Sequence, residues 1–321
     1  MKIFITGASG FIGGAIAKSL SAEHAIHAMS RSERSDEIIR LLGALPVRCE
    51  LGNVRPEHLA GCEVVIHCAA FVKQWGKREE FWKANMDGTT QLLEAAKQAG
   101  VSRFIFMSTE AVLFDGNHLH NIDETFPYPE RFQFLYPETK AAAEQLVLAA
   151  NTPAFTTISL RPRFVWGPGD TTILPYVKKS VQSGLFMWID RGRQQTSTTH
   201  IDNVVHAVGL ALTCGPGGHS YFITDESTTT VREFLTALMK TQNLKMPSRS
   251  ISGSLARALG ISVEMVWKLF GLKFDPPLTH FGAAMASSDV TMRSDKARKE
   301  LGYKPVISRE EGLKKLRRVS S

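Results

Sequence analysis

An apolar run at the start of the chain, Lys2-Ile3-Phe4-Ile5-Thr6, leads directly into Gly7-Ala8-Ser9-Gly10-Phe11-Ile12-Gly13. Three glycines spaced G-x-x-G-x-x-G between a strand signal and a helix signal leave few folds open. Gly7 permits a tight turn, Gly10 lets backbone approach a pyrophosphate, and Gly13 lets the helix lie close to the strand. The helix that follows aims unpaired N–H groups and the positive end of its dipole at phosphate. A glycine pattern alone is weak, because ordinary turns produce it, so the rest of the chain must supply the context.

It does. Apolar, strand-like runs at 2–6, 25–29, 47–51, 63–67, 103–107 and 155–160 alternate with helical patterns at 11–20, 33–42, 79–99 and 136–150. The third helix reads as one long element closed by Gly100. That rhythm predicts parallel βαβ units with right-handed crossovers, their strands buried on both faces. The expected fold class is α/β: a Rossmann-like, doubly wound parallel sheet over residues 1–160. Beyond Arg161 the texture changes to short signals and loops rich in Gly, Pro and Thr, as in Trp166-Gly167-Pro168-Gly169-Asp170. Residues 161–321 are therefore expected to form mostly a smaller, mixed substrate-binding domain, with 196–214 returning to the main sheet.

Composition narrows the function classes. Of 321 residues, 43% are hydrophobic and 21% charged, which excludes disorder. No stretch reaches the roughly 18 apolar residues of a membrane span, and no secretory leader is read at the start. Cys49, Cys62, Cys68 and Cys214 contain no C-x-x-C pair, so reduced thiols are expected rather than disulfides or a metal site. Much of the net charge of +7 lies beyond Arg293, interleaved with Asp295, Glu300, Glu310 and Glu311. Such mixing reads as a solvated helical face; no nucleic-acid motif accompanies it, and a weak membrane-surface contact stays open. The expectation is a cytoplasmic enzyme.

The second strand ends in Met29-Ser30-Arg31-Ser32-Glu33-Arg34. Sites that prefer NAD place an acid there for the ribose 2′-hydroxyl. Arg31 and Arg34 instead suit a 2′-phosphate, so NADP(H) is favoured, with NAD(H) the other possibility. Tyr136-Pro137-Glu138-Thr139-Lys140 opens a helix, with phenol and ammonium on one face at i and i+4. A nearby ammonium and a positive nicotinamide favour phenolate, lowering the phenol's pKa toward a usable value. Ser108 or Thr109, at the carboxyl end of the fifth strand, faces the crevice where parallel sheets bind ligands.

These motifs, with His67-Cys68-Ala69-Ala70, Asn85-Met86-Asp87-Gly88-Thr89, the segment from Arg161 to Asp170 and His200-Ile201-Asp202-Asn203-Val204, cover nearly the whole chain. In them the chain resembles an extended short-chain dehydrogenase/reductase of the 3β-hydroxysteroid dehydrogenase-like branch, within the NAD(P)-dependent epimerase/dehydratases. Phe71 to Gly76, the Arg161 segment and Pro276-Pro277-Leu278-Thr279 are similar to bacterial 2-alkyl-3-oxoalkanoate reductases. The resemblance implies Tyr136 as general acid/base, and Lys140 as ribose ligand and modulator of the phenol. It puts the catalytic hydroxyl on Thr109, hydrogen-bonded to the substrate carbonyl, with Ser108 its neighbour, and gives Asn85 a supporting role. Cofactor contacts are implied at Gly7, Ser9, Gly10, Phe11, Ile12, Gly13, Ser30, Arg31, Arg34, Asn53, Val54, Ala69, Ala70, Pro162 and Val165, besides Tyr136 and Lys140. Asn53 departs from the family, which has Asp there; it keeps an acceptor for adenine and loses the charge. A homodimer is implied as well.

The expected activity is NADP(H)-dependent interconversion of a ketone and a secondary alcohol on a hydrophobic molecule, such as a β-keto acid or a steroid. A nucleotide-sugar epimerase or dehydratase is the alternative, and a non-catalytic dinucleotide sensor the lesser one. Residues 254–272 read as an amphipathic helix with three competing roles: domain core, a lid over a greasy substrate, or a membrane-surface face. Met265, Trp267 and Phe270 would suit an apolar pocket.

Overall fold

A computed structural model describes residues 1–320, with side chains through Arg317. Strands β1 (Lys2–Thr6), β2 (Ala25–Ser30), β3 (Leu45–Arg48), β4 (Val64–His67) and β5 (Arg103–Met107) join Thr156–Pro162 and His219–Ile223 in one sheet. The spatial order is 219–223, 156–162, β5, β4, β1, β2, β3, and every pairing is parallel. Successive side chains of β1 alternate between faces. Ile3 and Ile5 pack with Ile16 of helix α1 (Phe11–Leu20) and with Val204 and Val208, while Phe4 packs with Leu92, Phe104 and Val147. Both faces are covered, so the strands carry apolar residues on each. The chain runs outward from β1 through β2 to β3 and then crosses back to β4, leaving a crevice at the carboxyl ends of β1 and β4.

Three expectations need correction. The third strand covers Leu45–Arg48, not 47–51. Leu51 is no strand residue; its side chain sits so close to Gly88 that a Cβ there would meet Leu51 Cγ at 2.5 Å. The long helix is also broken. Arg78–Phe81 is α-helical, Trp82–Asp87 is a π turn, and Gly88–Gln98 resumes the α-helix. No Gly or Pro falls within 82–87; the Thr89 and Thr90 hydroxyls bond back to Asn85 O (2.6 Å) and Met86 O (2.9 Å), a pattern that bends helices. Finally, within 196–214 it is a helix, not a strand, that reaches the main sheet. Thr199–His200 pairs with Val165–Trp166 in a separate ladder, and the helix Ile201–Ala211 packs on α1. The seventh strand, His219–Ile223, was not read from the sequence.

A second, mixed sheet lies in the later part of the chain. Gln195–Thr196 runs antiparallel to Thr229–Thr230 and parallel to Val290–Met292, which pairs in parallel with Leu119–Ile122. Among the described residues, no helix is long and apolar enough to cross a membrane.

Candidate active site

The glycine turn is built as its spacing requires. Gly7 has φ 75°, and a Cβ there would lie 2.9 Å from Ala69 N. At Gly13 a Cβ would come within 2.4 Å of Gly7 O, so only glycine lets α1 lie this close to β1. Gly14 N–H donates to Gly10 O (2.9 Å), leaving the amides of the first turn ahead of it as the open end of the helix. This cradle, which side chains would fill, fits a pyrophosphate. At the end of β2, Ser30 is buried while Arg31 and Arg34 are exposed beside helix α2 (Glu33–Leu41), which Ser32 caps through Ser35 N–H (3.2 Å). Asn53 is exposed, Val54 is buried in the core, and Ala69 and Ala70 are half-buried next to Gly7. Pro162 ends the 156–162 strand, buried, and Val165 is half-buried just beyond it.

Tyr136 and Lys140 lie in the helix Leu135–Ala149, with Pro137 in its first turn, where a missing N–H costs nothing. Both side chains meet the carboxyl end of β5. Lys140 is buried, donates from Nζ to Met107 O (2.8 Å) and lies 3.9 Å from the Phe106 ring centroid. Burial pulls its pKa down to about 7 against the raising effects of Glu144 and Cys68. The Tyr136 phenol does not behave as the sequence suggested. Burial and the charge of Glu110 push its pKa up, and its contact with the Thr109 hydroxyl opposes them. Within the protein, then, desolvation and a carboxylate govern the phenol, and the lowering expected from Lys140 is not among the causes.

The two candidate hydroxyls point to different partners. Thr109 Oγ1 accepts Ala111 N–H (3.2 Å), donates to Glu110 Oε2 (2.8 Å) and sits beside the Tyr136 phenol. Ser108 is buried with no hydrogen bond of ordinary geometry at Oγ, though it lies close enough to Glu144 to favour that carboxylate's charged form. Asn85, buried in the π turn, accepts Phe71 N–H (2.7 Å) and donates to Thr139 Oγ1 (3.1 Å). It thereby ties the loop after β4 to the tyrosine helix.

Sequence reasoning missed three buried networks. Thr6 Oγ1 accepts Ala69 N–H (3.1 Å) and donates to His67 Nδ1 (2.7 Å), while His67 Nε2 donates to Thr89 Oγ1 (3.0 Å). Because Thr89 donates onward to Asn85 O, the tautomer is set. Burial, with the charge of Lys140, brings the His67 pKa down to about 3, so the ring is neutral. Glu144 holds Arg161 through Nε (3.0 Å) and Nη2 (2.6 Å), fastening the tyrosine helix to the 156–162 strand. Glu110 forms a buried ion pair with Arg163, whose Nε donates to Thr196 Oγ1 (3.0 Å). Each pair joins residues 17 or more positions apart that no local spacing links.

One aromatic side chain lies beside the phenol and belongs to a larger cluster. Phe281 lies 6.1 Å from Tyr136 and packs against Phe134 and Phe114, and Phe71 meets Phe81 edge to face at 4.8 Å. The 254–272 stretch is not core. Its helix, Gly253–Leu269, buries only Gly253, Ala256 and Gly260. Gly260 lets it cross the helix His280–Ala286 closely, since a Cβ would meet His280 N at 2.8 Å. Met265 and Phe270 are 65% and 70% exposed, and Trp267 donates to Phe274 O (2.9 Å). The loop after β4 is fastened to this pair of helices, with Thr279 Oγ1 donating to Gln74 Oε1 (2.9 Å) and Lys268 lying over Trp75.

The family model for the 3-beta hydroxysteroid dehydrogenase/isomerase family matches residues 4–254. Over 99% of its length the chain is 40% identical to a 4-hydroxy-2-methyl-3-oxo-4-farnesyl-3,4-dihydroquinoline-1-oxide ketoreductase of Stigmatella aurantiaca, covering 96% of that protein. It is 33% identical to a 2-alkyl-3-oxoalkanoate reductase of Stenotrophomonas maltophilia, each covered in full. Among solved structures it is similar to the UDP-glucuronic acid 4-epimerase of Bacillus cereus in complex with NAD, with a TM-score of 0.76 and both chains fully covered. At 20% identity that last likeness concerns the fold alone.

Proposed function

The chain belongs to the 3-beta hydroxysteroid dehydrogenase/isomerase family, and from that premise we propose that it is an NADP(H)-dependent oxidoreductase interconverting a ketone and a secondary alcohol on a hydrophobic substrate. The observation that carries the proposal is the meeting of Tyr136, Thr109 and Lys140 at the carboxyl end of β5, with Phe281 beside the phenol. The nicotinamide dinucleotide, when bound, supplies hydride in reduction and takes it up in oxidation. The first-turn amides of α1 and the Gly7–Gly13 cradle bind its pyrophosphate, and Arg31 and Arg34 bind a 2′-phosphate. Lys140 holds the nicotinamide ribose. Tyr136 gives its phenolic proton to the carbonyl oxygen in reduction and removes it from the alcohol in oxidation. Burial and the Glu110 charge raise the phenol's pKa, and a positive nicotinamide ring, if held beside it, would act against them.

Residues 1–160 with 196–214 form the nucleotide-binding part in this reading, and most of 161–321 the substrate-binding part. The relatives named for a farnesyl-bearing ketone and for 2-alkyl-3-oxoalkanoates support an apolar chain on the substrate. An NADPH-oxidation screen across 2-alkyl-3-oxo acids, steroid ketones, flavonoid ketones and nucleotide sugars tests the proposal. Turnover of one of the apolar ketones, with none of a UDP-sugar, is expected. Robust turnover of a UDP-sugar would replace this reading with an epimerase.

A further inference from the structure

The second sheet ends in an edge strand, Leu119–Ile122, paired with Val290–Met292. Leu119 lies opposite Val290 and Ile122 opposite Met292, so His120 and Asn121 together face the single residue Thr291. In this bulge Asn121 takes φ 49° and donates its N–H to Thr291 Oγ1 (2.8 Å). Leu119 and Ile122 are buried, whereas His118 and His120, two apart along the chain, are exposed on one side. Their rings stack 6° from parallel with centroids 5.3 Å apart. Asp289, 171 positions beyond His118 and just ahead of the partner strand, turns one carboxylate oxygen to both: Oδ2 is 3.3 Å from His118 Nδ1 and 3.8 Å from His120 Nδ1.

No hydrogen bond joins these three atoms. Asp289 N–H donates to His118 Nδ1 (3.0 Å), so that nitrogen presents a lone pair and the ring proton sits on Nε2. Gln195 N–H occupies the other carboxylate oxygen, Oδ1 (2.6 Å), and no hydrogen bond among the described residues reaches Oδ2. A lone pair and an anionic oxygen thus face each other at 3.3 Å, which calls for something positive between them, the hydrogens of a water or a cation. A second imidazole converging on the same oxygen favours the cation. We propose that His118, His120 and Asp289 form a binding site for one divalent transition-metal ion of the zinc or nickel type, which clasps the bulged edge strand to Val290–Met292.

Donor types and spacing both suit such an ion. Zinc holds imidazole nitrogen and carboxylate oxygen at about 2.0–2.2 Å, which sets tetrahedral ligand atoms about 3.3–3.5 Å from one another. The two oxygen–nitrogen separations stand near that value, and one ligand atom of each residue lies within 4.8 Å of the others. Rotation of the exposed imidazoles closes the remainder. The His118 tautomer is already the one that ligation through Nδ1 requires. Binding exchanges the Asp289 N–H bond for a coordinate bond, and that N–H, on a half-buried residue, turns to water. Water fills the fourth position. Two imidazoles disfavour magnesium and calcium, which take oxygen ligands. The clasp stands independently of the ketoreductase reading.

The test uses the full-length chain without a histidine tag, stripped with a chelator and then titrated with Zn²⁺, Ni²⁺ or Mg²⁺ in competition with a colorimetric chelator. One equivalent of zinc or nickel per chain is expected, and no uptake of magnesium. His118→Ala and His120→Ala should each weaken zinc binding by at least the roughly 10- to 100-fold that loss of even an outer partner costs. Asp289→Asn, which keeps Oδ1 for Gln195 N–H, should weaken it in the same way. Should that variant fail to fold, the two exposed histidines still decide the matter. Histidine-selective ¹⁵N NMR gives the location: of ten histidines, zinc should shift the Nδ1 signals of two, which the alanine variants assign. Saturating zinc should also raise the melting temperature of wild type and leave His118→Ala/His120→Ala unmoved. The inference is overturned by a wild type that takes up no zinc, or by equal zinc affinity in wild type and the double variant. Shifts that fall instead on other histidines, such as His219 beside Glu300, overturn it as well.

Discussion

Up to Pro162 the main sheet grows from strands of four to seven residues, each parallel to its neighbours and, apart from the edge strand β3, largely buried; beyond it most strands are two residues long. The early part is organised by backbone ladders and apolar runs. The later part is organised by side chains that reach across the sequence. Asp225 shows the contrast: its Oδ1 accepts His200 N–H (2.8 Å) and Asn203 Nδ2 (2.8 Å), and its Oδ2 accepts Trp166 Nε1 (3.0 Å) and Thr198 Oγ1 (2.6 Å). Arg257 similarly links Gly116 O (2.8 Å), Ser287 Oγ (2.8 Å) and Ser288 Oγ (2.9 Å). Regular structure stabilised by its neighbours leaves a periodic trace in the sequence. Structure held by a few buried polar hubs leaves almost none.

If the later part depends on such hubs, Asp225→Ala should be the most damaging change. It strands four donors in or near the core, each costing about 1–3 kcal/mol, so a loss of about 4 kcal/mol or more in chemical denaturation is expected. A melting curve close to wild type would erase the contrast. Tyr136→Phe should leave the early part folded and its cofactor affinity nearly intact while lowering kcat by about 10²-fold or more. Unchanged kcat in folded protein would remove the catalytic assignment.

A smaller effect is expected from Arg31→Ala. One charge-assisted contact is worth about 1.5–3 kcal/mol, so NADPH should lose about 10- to 100-fold in affinity while NADH changes little. Equal losses for the two cofactors would point away from a 2′-phosphate. Least of all should come from Met265→Ser on the 253–269 helix, where the side chain is 65% exposed: about 0.5 kcal/mol or less in stability. A large loss would show that this face is covered in solution.

Legibility followed the same division. The turn at Gly7, Gly10 and Gly13, the strands from β1 to β5 and the start of the tyrosine helix carry local signals, and the structure follows them, apart from the third strand's register. That strand failed because Leu51, apolar like its neighbours, packs on Gly88 instead of pairing in the sheet. The helix broken at Trp82–Asp87 failed because the cause is a side chain: Asn85 bonds Phe71 and Thr139, and Thr89 bonds back to it. In the site, the spacing of Tyr136 and Lys140 was readable as two groups on one face. Whether Ser108 or Thr109 stands beside the phenol was not, because adjacent residues at a strand end differ only in which way they turn.

By itself the sequence determined the parallel sheet, the glycine cradle and the Tyr–Lys pair, since each depends on spacing within one or two elements. Only the tertiary structure decided that the phenol's neighbour is a carboxylate rather than the ammonium alone. It also decided that Arg163, 53 residues away, partners that carboxylate, and that the apolar 253–269 helix faces outward. The reason is physical: burial and charge act through distance in space, and a chain's local pattern records which elements form but not which side chains the fold brings within a few ångströms of one another.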